Sequence, residues 1–216
     1  MKTIKLTEKD FKNDIYCGKE DLTNIDGNLE IEKSGYCRFE GGISAKGDIF
    51  AEGDISAKGH ISAEGYISAK GGIFAKGDIS AEGDISAKGH ISAEGDIYAE
   101  GGIFAEGGIF AEGHISAEGG IFAEGDISAK GGILKAIYGI TAGLKIFAKT
   151  KIECGMRIFA GVAPWSWVGK EQREIKCGKL VSGEIGFGDL IETGLEGEEK
   201  SGEDIIILNG IKYKKL

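Results

Sequence analysis

The chain has 216 residues and a formal net charge of -9, from 26 Lys plus Arg against 35 Asp plus Glu. Thirty-eight glycines against a single proline exclude collagen and a proline-rich linker, and the acidic balance argues against direct nucleic-acid binding through phosphate neutralisation. No apolar run reaches the roughly 18 residues of a membrane helix, and MKTIKLTEKDFKND lacks the apolar core of a signal peptide, so a cytoplasmic protein with no membrane contact is expected.

Residues 1–26 do not repeat. They predict a cap over the apolar end of the repeats that follow, because stacked repeats need polar end covers. Lys2 to Leu6 reads as a strand, and T-E-K-D from Thr7 as a helix start with an acid in its first turn. Hexapeptide phase begins at residue 27. GNLEIE supplies Leu29 and Ile31 to an apolar side, and GYCRFE supplies Cys37 and Phe39 after a two-residue insertion at Lys33-Ser34.

From Gly41 to Lys130 fifteen hexapeptides follow without a gap, with the consensus G-[DGHY]-I-[SFY]-A-[EK]. Isoleucine recurs at every sixth position from Ile43 to Ile127. A period of six does not fit a helix, where each glycine would also cost about 1 kcal/mol. In an extended chain, side chains alternate. Gly, Ile and Ala then share the inner side, and the residues between them point out. A bend at each glycine, a residue tolerant of unusual backbone conformations, folds three hexads into a triangular coil of about 18 residues, and coils stack at roughly 4.8 Å. The expected fold is an all-β, single-stranded parallel β-helix (β-solenoid).

Past residue 130 the phase continues at Ile133, shifts by one residue, and resumes at Ile140, Ile146, Ile152 and Ile158. Residues 162–174, VAPWSWVGKEQRE, hold the only proline and both tryptophans, Trp165 and Trp167. They read as a loop ejected from a coil, with the tryptophans as candidate partner contacts. Ile175, Val181 and Phe187 then resume the spacing of six, so the solenoid is expected over 27–192. It comprises about 25 hexads in about eight coils, roughly 40 Å of rod at the strand spacing. Within residues 193–216 an acidic, glycine-rich linker precedes a β-hairpin, Ile205 to Leu208 and Ile211 to Tyr213 around Asn209-Gly210.

A search for chemistry finds no active site. His60, His90 and His114 all take the outward position before isoleucine, and those of one column lie roughly 14 Å apart, too far to share a metal. The four cysteines form no CxxC pair and no zinc spacing. Cys37 replaces a core isoleucine, and Cys154 and Cys177 replace core alanines in the matching contexts IECG and IKCG, which would let those two stack. The serines have no histidine partner, and no GxxxxGK[ST] phosphate loop is present. The expectation is no enzyme, no cofactor and no metal.

The outer surface carries the variation. At 18 residues per coil, one column reads Lys46, Glu64, Glu82, Glu100, Glu118, on a face that also carries Asp78 and Asp96. The other two columns mix signs: Glu52, Lys70, Lys88, Glu106, Glu124, and Lys58, Lys76, Glu94, Glu112, Lys130. Phe104, Phe110 and Phe122 stand where serine is usual, with Phe104 and Phe122 expected as stacked neighbours. Four of the five phenylalanines of the perfect repeats follow GGI, as if the ring lay over the glycine. Exposed rings of this kind mark interfaces, and a homodimer through Phe104 and Phe122 is one assembly they allow.

The GDIxAxG hexads resemble those of bactofilins, the polymer-forming bacterial β-helix proteins, and of hexapeptide-repeat proteins encoded in phages and prophages. The resemblance covers roughly residues 27 to 192. From the hexapeptide acyltransferases the chain departs: they favour a small or acidic residue directly after the core aliphatic, where Ser, Phe or Tyr stands here, and their catalytic histidine loop is missing. The resemblance implies either a phage-borne inhibitor of a host nucleic-acid-handling or defence protein, or a self-assembling scaffold. The residues favour a rigid, non-catalytic rod that presents an acidic, nucleic-acid-like face to a basic protein surface.

Overall fold

The computed structural model describes residues 2–163 and 168–195, and the backbone of 205–208 and 211–214. It is an all-β parallel solenoid. Through the perfect repeats each hexad gives one short strand, as in Ile61–Ala63, Ile67–Ala69 and Ile73–Ala75, which pair in register with strands one coil away. Three faces result. Face A stacks Ile43, Ile61, Ile79, Ile97 and Ile115. Face B stacks Ile49, Ile67, Ile85, Ile103 and Ile121. Face C stacks Ile55, Ile73, Ile91, Ile109 and Ile127. Face C runs for nine rungs, from Cys37 to Leu190. The isoleucines are essentially inaccessible, each contributing about 2 kcal/mol from burial.

The corners explain the rest of the hexad. The N–H of Glu64 donates to Ala45 O at 3.0 Å, and that of Gly65 to Gly47 O at 3.2 Å, so the backbone ladder continues round the bend. The residue before the isoleucine is different: where Asp, Asn or His stands one coil below, that side chain takes its N–H. Asp96 N–H donates to Asp78 Oδ1 at 2.8 Å, Gly102 N–H to Asp84 Oδ1 at 2.6 Å, and Asp48 N–H to Asn28 Oδ1 at 2.9 Å. The histidines do the same through Nδ1, His60 to Asp78 N–H at 2.9 Å and His90 to Gly108 N–H at 2.7 Å. This acceptor role places the ring proton on Nε2. Asp78 Oδ2 also lies 3.1 Å from His60 Nδ1, a close approach rather than an ion pair, since the Asp78 N–H already occupies that nitrogen.

The repeat glycines owe their place to close packing against the coil below and not, as the bends suggested, to backbone freedom. The left-handed glycines among the described residues are Gly27, Gly35, Gly161, Gly183, Gly188 and Gly194, none of them within the perfect repeats. A Cβ on Gly95 would instead lie 2.0 Å from Asp78 Oδ1, and one on Gly77 2.6 Å from His60 Nδ1. At these positions the short acceptor occupies the space a side chain would need, and over Gly42, Gly72 and Gly102 the backbone does so, 2.7 to 2.8 Å from a Cβ on Gly59, Gly89 or Gly119.

At the first end, Lys2–Leu6 pairs in parallel with Gly27–Ile31, and Phe11–Lys12 forms a small hairpin with Ile15–Tyr16. The rings of Phe11, Tyr16 and Phe39 meet at 5.7 to 5.9 Å and close the core from below. The helix expected from Thr7 is a single 3-10 turn, Glu8–Asp10, with Asp10 Oδ2 accepting from Thr7 N–H at 2.8 Å.

Past residue 130 two expectations are corrected. Leu134, not Ile133, pairs with Ile115 and takes the core position, because the added residue precedes 134 rather than following it. In the last coil the core spacing is five, not six. Ile175, Leu180 and Ile185 pair with Ile146, Ile152 and Ile158, and Leu190 with Ile175. Val181 and Phe187 stand 50% and 42% exposed. Each unit here has lost the residue of the Glu/Lys position, leaving G-x-[IL] at Gly178, Gly183 and Gly188. The tighter corner needs φ of +111° at Gly183 and +117° at Gly188, a region L side chains avoid. Finally Ile205–Leu208 pairs antiparallel with Leu190 and Ile191 and with Ile211–Lys214, ending the parallel ladder of face C. The hairpin turn at Asn209-Gly210 lies outside the described residues.

Candidate interaction surface

Glu64, Glu82, Glu100 and Glu118 occupy the edge where face A turns into face B, one per coil and all exposed. Their N–H groups donate to Ala45, Ala63, Ala81 and Ala99 O at 3.0 to 3.2 Å, so the four are in register, roughly 4.8 Å apart. Among the described residues no cation lies within ion-pair distance of any of them. Lys46, the lysine of this column, bonds Asp26 Oδ1 at 3.0 Å, and that carboxylate holds its ammonium above the ordinary range. The other two edges interleave their charges. Lys70 meets Glu52 at 2.6 Å, Lys130 meets Glu112 at 2.6 Å, and Lys58 pairs with Glu40. Such exposed pairs add about 0–1 kcal/mol each. What they change is the field, which they cancel on two edges and leave on the third.

Asp78 and Asp96 do not join this column. They begin the face A strands at the opposite edge, four residues from Glu82 and Glu100, or roughly 13 Å of extended chain. Asp78 Oδ1 accepts from Asp96 N–H, and Asp96 Oδ1 from His114 N–H at 2.6 Å. Both carboxylates are rungs of the ladder. The three histidines are exposed, as their outward position predicts, and their Nδ1 atoms are rungs too.

Phe104 and Phe122 are paired neighbours on face B and both exposed. Phe110 lies on face C, half-buried, its ring 5.8 Å from that of His90, so it is not part of the same cluster. The pairing of ring with glycine has a direct cause: a Cβ on Gly72, Gly102 or Gly108 would lie 2.5 Å from the ring of Phe74, Phe104 or Phe110. Phe122 does not cover Gly120 in this way. Trp165 and Trp167 lie outside the described residues.

The hexad reading missed an apolar group on the same edge. Ile137 takes the position of the next glutamate, its N–H donating to Ala117 O at 3.2 Å. Tyr138 and Met156 take the next two glycine positions, and each is 59% exposed. Their signal was in the sequence: large apolar residues where the repeat demands glycine.

Cys37, Cys154 and Cys177 are buried. Burial raises all three thiols, Cys37 to about 11 and Cys177 to about 12, so they stay protonated and poorly nucleophilic. Cys154 and Cys177 do not stack: Cys154 pairs with Ala136 on face A, and Cys177 with Ala148 on face C. Among the described residues no three His, Cys, Asp or Glu converge to hold a metal, and no helix is long and apolar enough to cross a membrane. In comparisons with known proteins, no family model, no curated protein and no solved structure matches this chain.

Proposed function

We propose that the chain is a rigid, non-catalytic interaction rod whose A/B edge binds the basic surface of another protein. The observation that carries this reading is the contrast between edges: four adjacent coils present glutamate without a cation partner, while the other two edges mix lysine with glutamate. Like charges on adjacent strands cost stability, and lysine is used freely at the same hexad position elsewhere. The rod holds the carboxylates roughly 4.8 Å apart, near the 3.4 Å per phosphate of one nucleic-acid strand. The edge thus suits a groove built for a phosphate backbone, in keeping with an inhibitor of a nucleic-acid-handling protein of the kind the phage-borne resemblance suggests. The competing reading is a bactofilin-like rod assembling end to end. The antiparallel hairpin on the last coil and the aromatic cap beneath the first count against it, because both occupy ends that a polymer would need open.

The test is charge reversal. Glu82→Lys with Glu100→Lys preserves folding, because both side chains point to solvent. In pull-downs from the source cell, that variant loses the captured partner, and Lys70→Glu with Lys88→Glu on the neighbouring edge keeps it. Capture by wild type also weakens steeply with salt, as expected when the Debye length falls below about 10 Å. Equal losses from the two variants, or binding indifferent to salt, sink the proposal.

A further inference from the structure

The acidic column does not end in solvent. Along the A/B edge the order from coil to coil is Glu64, Glu82, Glu100, Glu118, then Ile137 with Tyr138, then Met156. Tyr138 and Met156 are adjacent rungs, Met156 N–H donating to Tyr138 O at 3.3 Å. Beside them on face B run the rings of Phe122 and Phe159, with Thr141 between. Gly139 and Gly155 leave a depression of about 680 Å³ there, walled by Met156 and Phe159. The ion pair of Arg157 with Glu184, at 3.1 Å, stands at its margin. One edge therefore carries a charged half and an apolar half in line.

From this arrangement, and resting on the acidic-edge reading above, we infer that the occupant is an amphipathic helix of a partner protein, with a basic stripe that continues into an apolar one. Three observations lead there. The backbone groups of the perfect repeats are taken up in the coil-to-coil ladder, so a partner cannot add a strand along the side of the rod and must dock through side chains. A helix lying along the rod repeats its stripe every 5–6 Å or so, close to the coil spacing of about 4.8 Å. The five steps from Glu64 to the coil of Met156 span about 24 Å, the length of a helix of about 16 residues. Lys or Arg on its first three turns meets the glutamates, and Leu or Trp on its last turns covers Tyr138 and Met156 and enters the depression. A second copy of this chain fits less well, since each copy carries a net charge of -9.

The experiment titrates the full chain against a fluorescent synthetic helix of about 16 residues with that stripe. The control peptide has the same composition, with Lys and Leu alternating along the stripe. The designed peptide binds at least about tenfold more tightly than the control. Tyr138→Ser with Met156→Ser, both at exposed positions where folding is not at stake, weakens it by about tenfold or more, as does Glu100→Lys with Glu118→Lys. If charge reversal weakens binding and the serine variant does not, the apolar half is no part of the site; the inference fails while the acidic edge stands. If neither variant matters, both readings fail. If the wild type sediments as a dimer that Tyr138→Ser with Met156→Ser dissociates, the surface belongs to a second copy and the inference is overturned.

Discussion

The perfect repeats of 41–130 and the coils of 131–192 stack the same aliphatic core but turn their corners by different means. In the perfect repeats glycine provides space. A short acceptor before the isoleucine of one coil fills the position where a Cβ of the next would be, as Asp78 does beneath Gly95. In the last coil glycine provides backbone freedom, with Gly183 and Gly188 at positive φ in corners one residue shorter. Between the two regions, Tyr138 takes the glycine rung above Gly119, and Met156 the rung above Tyr138. Leu144 likewise takes a glycine rung, above Gly125. The uniform sequence of the middle therefore records contacts between coils, not only a folding period. Past residue 130 the glycine position takes large apolar residues, Tyr138, Leu144 and Met156, and the surface that carries the candidate interaction arises there.

The largest effect expected from breaking this comparison is in the core. Ile85→Asp places an unpaired charge at a fully inaccessible rung and unfolds the rod or costs on the order of several kcal/mol. Val181→Asp, at a position in the same phase of six but half-exposed, changes urea stability by less than about 0.5 kcal/mol. Comparable losses at the two sites would restore a core spacing of six in the last coil.

The error at Val181 shows what was legible and what was not. The fold was readable because isoleucine marks every rung from Ile43 to Ile127 without exception, and alternation then assigns inside and outside. In the last coil, counting hydrophobic residues at six found Val181 and Phe187. Counting glycines would have found Gly178, Gly183 and Gly188 at five, each followed two residues later by Leu180, Ile185 and Leu190. The four glutamates were legible because their side chains have no alternative but solvent. Asp78 and Asp96 were not, because nothing in the sequence says that their oxygens bond an N–H eighteen residues on. That bond depends on coil geometry, which no local pattern encodes. Tyr138 and Met156 are invisible to the consensus, because they stand out only as departures from it.

A smaller effect separates two glycines of the same hexad position. Gly95→Ala forces a Cβ onto Asp78 Oδ1 and costs about 1–3 kcal/mol. Gly41→Ala, on the lowest coil with nothing within 4 Å of the new methyl, is neutral or stabilising by up to about 1 kcal/mol. Asp78→Gly in the Gly95→Ala background opens the space and recovers part of the loss. A double-mutant cycle with no coupling between positions 78 and 95 would show that these glycines serve the backbone after all.

The smallest effect tests the ladder itself. Asp84 Oδ1 takes the N–H of Gly102, a buried residue, at 2.6 Å. Asp84→Ala leaves that donor without its partner and costs about 1 kcal/mol or somewhat more. Asp84→Asn keeps an oxygen in the same place, as Asn28 does naturally beneath Asp48, and is expected to be nearly silent. A charge-based role instead predicts that Asn is as damaging as Ala. The matching control lies in the other region. Lys151 precedes Ile152 just as Asp84 precedes Ile85, but among the described residues its side chain makes no bond to the coil above, so Lys151→Ala shifts the urea midpoint by less than Asp84→Ala does. If the two alanine variants lose the same stability, the acceptor is not what distinguishes the middle of the rod from its end.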